Sequence, residues 1–125
     1  MTPSVADHLR MVLRHGEANA LTYPKLAALV FGIPAKPDPN DIETLRRQKS
    51  AIRQLQEAVP ALRAAGAPVC SGSVGLWITD DPHELREQYR ALRRRYIHQA
   101  IGARALLRTA GQKERERQLA LPWAA

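Results

Sequence analysis

The sequence predicts a mainly α-helical protein with one small β-hairpin, followed by a long C-terminal helix. Apolar residues at helical spacing recur on both sides of the chain's centre. Between them, residues 67–79 carry no formal charge, and short apolar runs at Val69 and Leu76 alternate with period two around the loop SGSVG. With 125 residues, 45% of them apolar, we expect one domain with a single small core and a tail.

The first two predicted helices are short. The first is expected over residues 3–15, where Gly16 ends it. The second begins after Thr22, a good N-cap residue, and ends at Gly32. Three prolines within residues 33–40 then predict a loop.

The third helix is expected to begin at Asn40 or Asp41 and to run to about Ala58. Because a proline restricts the residue before it, Pro60 predicts a break or kink at this point. A further turn is expected to end at Gly66.

The fourth helix is the longest. Asp81 is its predicted cap, Pro82 suits the first helical position, and Glu84 completes a capping-box pattern. The helix is expected to run to about Ala110, where Gly111 closes it. The expected divisions of the chain are residues 1–80, residues 81–110 and a flexible tail, residues 111–125.

The chain is basic, with 19 Lys and Arg against 12 Asp and Glu and a net charge of +7. This surplus favours a polyanionic partner, because basic side chains release counterions from phosphate backbones. A solvated basic surface is the alternative. Cys70 is the single cysteine, which suits a reducing compartment. Because neither a signal peptide nor a bilayer-spanning run is recognisable, we expect a cytoplasmic protein.

The loop between the two strands does not fit an enzyme. A nucleophile elbow needs glycine two residues before the serine, whereas Ser71 stands two residues before Ser73. A P-loop needs Gly-Lys-Ser/Thr and a following helix. The 4 histidines lack metal-ligand spacing, and Cys70 suits burial as a small apolar residue. We therefore expect no catalytic site, cofactor or metal.

The order of three helices and a hairpin resembles the winged-helix domain, a helix-turn-helix variant. LTYPKLAALVFG, AIRQLQ and AGAPVCSGSVGLWITDD are similar to segments of the repressor-like and phage-type regulators of this family, over roughly residues 5–80. The resemblance implies that the third helix lies in the major groove of DNA and that the hairpin, the wing, touches the neighbouring backbone. Two features depart from the pattern: the proline-rich insert before the third helix, and Pro60, which lengthens and bends the approach to the wing.

A stripe of donors on the third helix is the predicted DNA-reading surface. One side of the helix is expected in the core through Leu45, Ile52, Leu55 and Val59. The opposite side presents Arg46, Lys49, Ser50 and Arg53, flanked by Arg47 and Gln54. Such donors suit phosphates and guanine edges. In the wing, Ser71 and Ser73 are expected to donate to phosphates. The alternatives are a solvated helix face and a plain turn.

The long helix is expected to form a homodimer. A heptad-like seam with four- and three-residue steps follows Leu85, Tyr89, Leu92, Tyr96, Gln99, Ala103 and Leu106. The alternative is an intramolecular helix lying across the winged domain. A neighbouring basic strip consists of Arg86, Arg90, Arg93 and Arg94. This strip either extends the phosphate contact or is solvated surface.

The tail sequence QLALPW resembles the peptide by which bacterial replication and repair proteins dock on the sliding clamp. The resemblance implies a hydrogen bond from Gln118 at the rim of a pocket, with Leu119, Leu121 and Trp123 filling an apolar groove. Tryptophan at the last place departs from the usual Leu or Phe. The alternative is a tail that folds back, so that Trp123 covers the chain's own core.

These observations predict a dimeric, nucleoid-associated protein that binds double-stranded DNA, from a bacterium or its phage. Its expected role is transcriptional regulation or accessory work in replication. The alternative is a protein-interaction adaptor or inhibitor that docks on the sliding clamp through its C-terminal peptide. No membrane partner is expected.

Overall fold

A computed structural model describes residues 4–120. The elements are α1 (Val5–Val12), a short 3-10 helix (Glu17–Asn19), α2 (Tyr23–Phe31), α3 (Ile42–Ala64), β1 (Val69–Gly72), β2 (Gly75–Ile78) and α4 (Pro82–Ala120). The predicted fold class, mainly helical with one antiparallel hairpin and a long C-terminal helix, is confirmed. The chain divides into two compact units, of which the first ends at Gln88 and the second starts at Tyr89.

Helix α1 ends earlier than predicted, because the chain after Val12 leaves the helix to pair with the hairpin. Leu13 already has extended backbone, with φ −66° and ψ 137°. The carbonyl of Arg14 accepts from the Ile78 N–H at 3.0 Å, and the Gly16 N–H donates to the Ile78 carbonyl at 2.9 Å. The tertiary pairing of these backbone groups replaces the last predicted turn of the helix.

Helix α2 has the predicted ends. It follows the N-cap residue Thr22, although the Thr22 side chain makes no capping hydrogen bond. Gly32 terminates it in the left-handed conformation, with φ 70° and ψ 22°, which glycine adopts without steric cost.

Helix α3 runs through Pro60 without the predicted break. Asp41 caps it, because its carboxylate accepts from the Thr44 N–H at 3.1 Å. The core-facing side continues past the proline, since Val59 and Leu62 are both buried. This burial offsets the hydrogen bond that a proline removes from a helix interior. The helix ends in a Schellman pattern around Gly66, the predicted stop.

The hairpin is joined by a two-residue turn, with Gly72 paired to Gly75 and Cys70 paired to Trp77. Its second strand also pairs with the chain before α2, because Leu21 and Leu76 exchange two backbone hydrogen bonds of 3.0 and 2.9 Å. At Gly75, φ is +119° and an added Cβ would lie 2.2 Å from the Leu21 carbonyl oxygen. Only glycine therefore permits this close approach of the two backbones.

The core of the first unit is aliphatic and lies among the three first helices and the hairpin. Its fully buried large side chains are Leu9, Leu26, Leu55 and Leu76. Around them pack smaller buried residues from α3, among which are Ala51 and Val59. The core thus fixes α3 by one face and leaves the other face outward.

Helix α4 is longer than predicted, because it continues through Gly111 to Ala120. A glycine in a helix interior costs only about 1 kcal/mol relative to alanine. The residues after Gly111 are mostly strong helix formers, so the glycine alone does not end the helix. None of the described residues of α4 is buried.

The N-terminal capping of α4 differs from the capping box that the sequence predicted. Asp81 accepts from the His83 N–H at 2.9 Å, as expected for a cap. The reciprocal bond of a capping box is absent, because the Asp81 N–H donates to Thr79 Oγ1 at 3.1 Å. Glu84 therefore does not complete the predicted capping box.

Candidate nucleic-acid interface

The outward face of α3 carries all four side chains of the predicted stripe. Each of them is exposed: Arg46, Lys49, Ser50 and Arg53. The opposite face is buried through Ala51, Leu55, Ala58, Val59 and Leu62. Of the predicted core positions, Leu45 and Ile52 are half-buried rather than buried. The helix is therefore anchored by one side and presents donors on the other.

Among the described residues, no carboxylate forms an ion pair with a cation of this stripe. Between Glu43 and Glu57 the helix has no acidic residue. Within residues 4–120, Arg46, Lys49 and Arg53 form no ion pair. The stripe residues stand at positions i, i+3, i+4 and i+7, so the stripe spans about 10 Å along the helix axis at 1.5 Å per residue. We refer to these four residues as the α3 stripe.

A shallow pocket of about 240 Å³ adjoins the α3 stripe. Its apolar residues are Phe31, Ile33 and Ala51, from the end of α2, the loop after it and α3. Its polar residues are the predicted Arg47, Ser50 and Gln54. Three of the predicted site residues are therefore brought together around one concave surface. The sequence did not reveal Phe31 and Ile33, because the loop between α2 and α3 brings them to the site.

The N-terminal half of α3 is held in place by two sets of hydrogen bonds. Thr44 donates to Asp41 through its N–H and, at 2.6 Å, through its hydroxyl. These bonds hold the pKa of the Asp41 carboxyl below its usual value, with a smaller contribution from the charge of Arg47. Gln48 Nε2 donates to the carbonyls of Pro34 and Ala35, at 3.4 and 3.2 Å. The proline-rich insert is thereby fastened to the helix that it precedes.

The two predicted serines of the hairpin differ in their surroundings. The Ser71 hydroxyl accepts from Arg63 Nη2 at 3.1 Å, and the Ser71 N–H donates to Gln88 Oε1 at 2.9 Å. Arg63 Nε also donates to the Val69 carbonyl at 3.0 Å. Ser71 is thus held by contacts inside the first unit, whereas Ser73 is exposed at the turn. Sequence analysis missed Arg63 and Gln88, since no periodicity links them to the hairpin.

The paired residues Cys70 and Trp77 are buried, as predicted for Cys70. Burial raises the pKa of the Cys70 thiol, and the nearby charge of Glu84 raises it further. Within the described residues, Trp77 Nε1 and Glu84 Oε2 are buried without a hydrogen-bond partner.

The described part of the second unit exposes its apolar residues. Tyr89, Tyr96, Ile101 and Leu106 of α4 are exposed, and Leu92 is half-buried. The arginines of the predicted basic strip are exposed as well. Of the predicted clamp peptide, Gln118 and Leu119 are helical and exposed, while Leu121 and Trp123 lie outside the described residues.

No family model, curated protein or solved structure matches this chain. Among residues 4–120, no helix has both the length and the apolar composition that a bilayer crossing requires. The same residues contain no cluster of three or more His, Cys, Asp or Glu side chains placed to hold a metal ion.

Proposed function

We propose that the protein binds double-stranded DNA through the α3 stripe. The single observation that carries this proposal is a face of three exposed cations, Arg46, Lys49 and Arg53, with no acid between Glu43 and Glu57, on a helix whose other face is buried. A helix face that only contacts solvent usually mixes acidic and basic side chains. Guanidinium groups bind phosphates and guanine edges in bidentate fashion.

The dimensions of the α3 stripe support insertion into the major groove. The groove of B-DNA is about 12 Å wide and admits an α-helix, and the stripe is about 10 Å long. The adjoining pocket places Arg47 and Gln54 beside an apolar floor. Arg pairs with guanine, Gln with adenine, and apolar groups contact the thymine methyl. We assign the stripe to phosphate and guanine contacts and the pocket to base reading.

The arrangement around α3 supports a winged-helix interpretation. Three helices precede a hairpin, and the chain between α1 and α2 adds backbone pairing along β2. In such domains the hairpin contacts the backbone beside the recognition helix. Ser73 is exposed at the turn and suits a phosphate contact, whereas the bonds of Ser71 to Arg63 and Gln88 assign it to holding the hairpin. The cellular role we infer is transcriptional regulation or replication accessory work, by a dimer formed through α4.

Duplex binding as a function of salt tests this proposal. The variant R46A/R53A removes two cations from the stripe, and R10A/R14A removes two exposed cations from the region of α1. We expect the slope of log K against log salt to fall by about 2 for the stripe variant, because each phosphate contact contributes about 0.9. The control variant should keep the wild-type slope. Equal slopes for both variants contradict a contact through α3.

Docking on a sliding clamp is the second candidate function, and one observation favours it. Leu119 is 77% exposed at the end of α4, next to Gln118, so the first two residues of the peptide are accessible. Truncation after Arg117 should abolish capture by a purified bacterial clamp and leave duplex binding unchanged. Capture that survives this truncation excludes the peptide as the docking element.

A further inference from the structure

The segment of α4 from Tyr89 to Gln112 carries 6 arginines and no Asp or Glu. All of these arginines are exposed on one uninterrupted helix. The general abundance of arginine in the chain does not by itself explain why six arginines occur here without an acid. Residues 58–79 also lack acids, yet they contain a single cation, Arg63. The concentration of positive charge is therefore a property of this part of α4.

Most of these arginines lie on one side of the helix. With about 3.6 residues per turn, five of them fall within an arc of roughly 100°. We call this set the α4 arginine strip: Arg90, Arg93, Arg94, Arg104 and Arg108. Arg95 lies on the opposite side. At 1.5 Å per residue, the strip is about 27 Å long.

Apart from Arg90, the arginines of the strip have little compensating negative charge within the second unit. The only acids of the second unit are Glu114 and Glu116, and Glu116 already pairs with Lys113 at 3.5 Å. Within the described chain, Arg93, Arg94, Arg104 and Arg108 make no ion pair. Arg104 and Arg108 are four residues apart, a spacing at which like charges destabilise a helix. A polyanion bound along the strip would relieve this repulsion.

We propose that the α4 arginine strip binds the phosphate backbone of double-stranded DNA as a second surface, independent of base sequence. The choice of duplex DNA as the polyanion rests on the function proposed for the α3 stripe. A helical turn of duplex is about 34 Å long, so the strip extends along most of one turn. Guanidinium groups bind phosphates through paired hydrogen bonds. Backbone contacts carry no direct sequence information, so the strip adds affinity without specificity.

The test compares two variants of the full chain that lose the same charge from opposite sides of α4. The strip variant is R93Q/R104Q/R108Q, and the control variant is R95Q/K113Q/R117Q. Glutamine keeps the helix propensity close to that of arginine and lysine, which circular dichroism can verify. The probe is a fluorescently labelled duplex of mixed sequence, several helical turns long, titrated at a series of salt concentrations.

We expect the strip variant to lose affinity on the order of 100-fold at about 0.1 M salt and its salt slope to fall by about 2 to 3. The control variant should change far less in both quantities. The charge-preserving variant R93K/R104K/R108K should keep most of the wild-type affinity. Equal losses in the strip and control variants, or wild-type affinity in the strip variant, overturn the proposal.

The outcomes separate this inference from the function proposed for α3. If R46A/R53A weakens duplex binding while the strip and control variants behave alike, the strip proposal alone fails. If the strip variant loses binding and R46A/R53A does not, the α3 proposal alone fails. A wild-type chain that does not bind the duplex contradicts both. If the strip mutations abolish binding to vesicles of anionic phospholipid and leave duplex binding intact, the strip serves a lipid surface and the proposal is overturned.

Discussion

Helices α3 and α4 are both rich in arginine, yet the fold uses them in different ways. α3 buries five side chains in the core and presents Arg46, Lys49 and Arg53 on the opposite face. α4 buries none of its described residues and exposes aromatic, aliphatic and cationic side chains together. A core-anchored helix can present its donors in a fixed geometry, which base reading requires. An exposed helix with unpaired charge suits contacts for which geometry matters less, such as those with a phosphate backbone.

The largest expected difference between the two helices is in the free energy of unfolding when one leucine of each is replaced by alanine. Leu55 of α3 is fully buried, whereas Leu106 of α4 is 73% exposed. Leu55→Ala should lower the free energy of unfolding by about 2 to 5 kcal/mol, because it removes apolar contacts and leaves a cavity. At protein concentrations low enough to keep the chain monomeric, Leu106→Ala should change it by less than about 0.5 kcal/mol. Urea denaturation of the two variants measures both values.

Repeating the urea denaturation at several protein concentrations tests whether a dimer covers Leu106. If a dimer formed through α4 covers Leu106, its truncation will destabilise the protein in a concentration-dependent manner. A cost for Leu106→Ala that equals the cost for Leu55→Ala at every concentration contradicts the contrast between the two helices.

The next largest effect comes from replacing one glycine by alanine in each unit. The two replacements should change the free energy of unfolding in opposite directions. Gly75→Ala should destabilise the first unit by at least about 2 kcal/mol, because the added Cβ would clash with the Leu21 backbone at a positive φ. Gly111 of α4 has nothing within 4 Å of an added Cβ. Gly111→Ala should stabilise the helix by about 0.5 to 1 kcal/mol. Thermal unfolding monitored by circular dichroism distinguishes the two outcomes, and a tolerated Gly75→Ala contradicts the pairing of β2 with Leu21.

The smallest expected effect is a decrease in the stability of the first unit at alkaline pH, caused by the buried Cys70 thiol. The pKa of the Cys70 thiol is raised in the folded state, so the unfolded chain loses this proton first as the pH rises. Stability should be unaffected below the pKa of a free thiol and should fall as the pH increases above it. Cys70→Ala should remove this part of the pH dependence. Alkylation of the wild-type thiol should be slow until the chain is unfolded, and fast alkylation of the native protein argues against burial.

The sequence was sufficient where local chemistry determines the structure. Thr22 and Gly32 mark the ends of α2, Asp41 caps α3, and the turn of the hairpin falls within SGSVG, as predicted. The split of α3 into a buried and an exposed face was also predictable, because it follows from helical periodicity.

The sequence was misleading where long-range contacts override local preference. Pro60 does not break α3, because Val59 and Leu62 remain buried on either side of it. Gly111 is a different case, because local helix propensity alone continues α4 beyond it. The contacts of Arg63 and Gln88 with Ser71 join residues 8 and 17 positions apart. Such contacts have no signature in periodicity or composition.

The central claim is that the outward face of α3 contacts the duplex, and residue-resolved NMR tests it most directly. Backbone amide signals of the isotope-labelled full chain would be followed during titration with a duplex at moderate salt. We predict that the largest shifts, or losses of intensity, fall on Arg46, Lys49, Ser50 and Arg53, with smaller changes at Ser73. Unperturbed signals along this face, together with changes confined to α1 and α2, would contradict the claim.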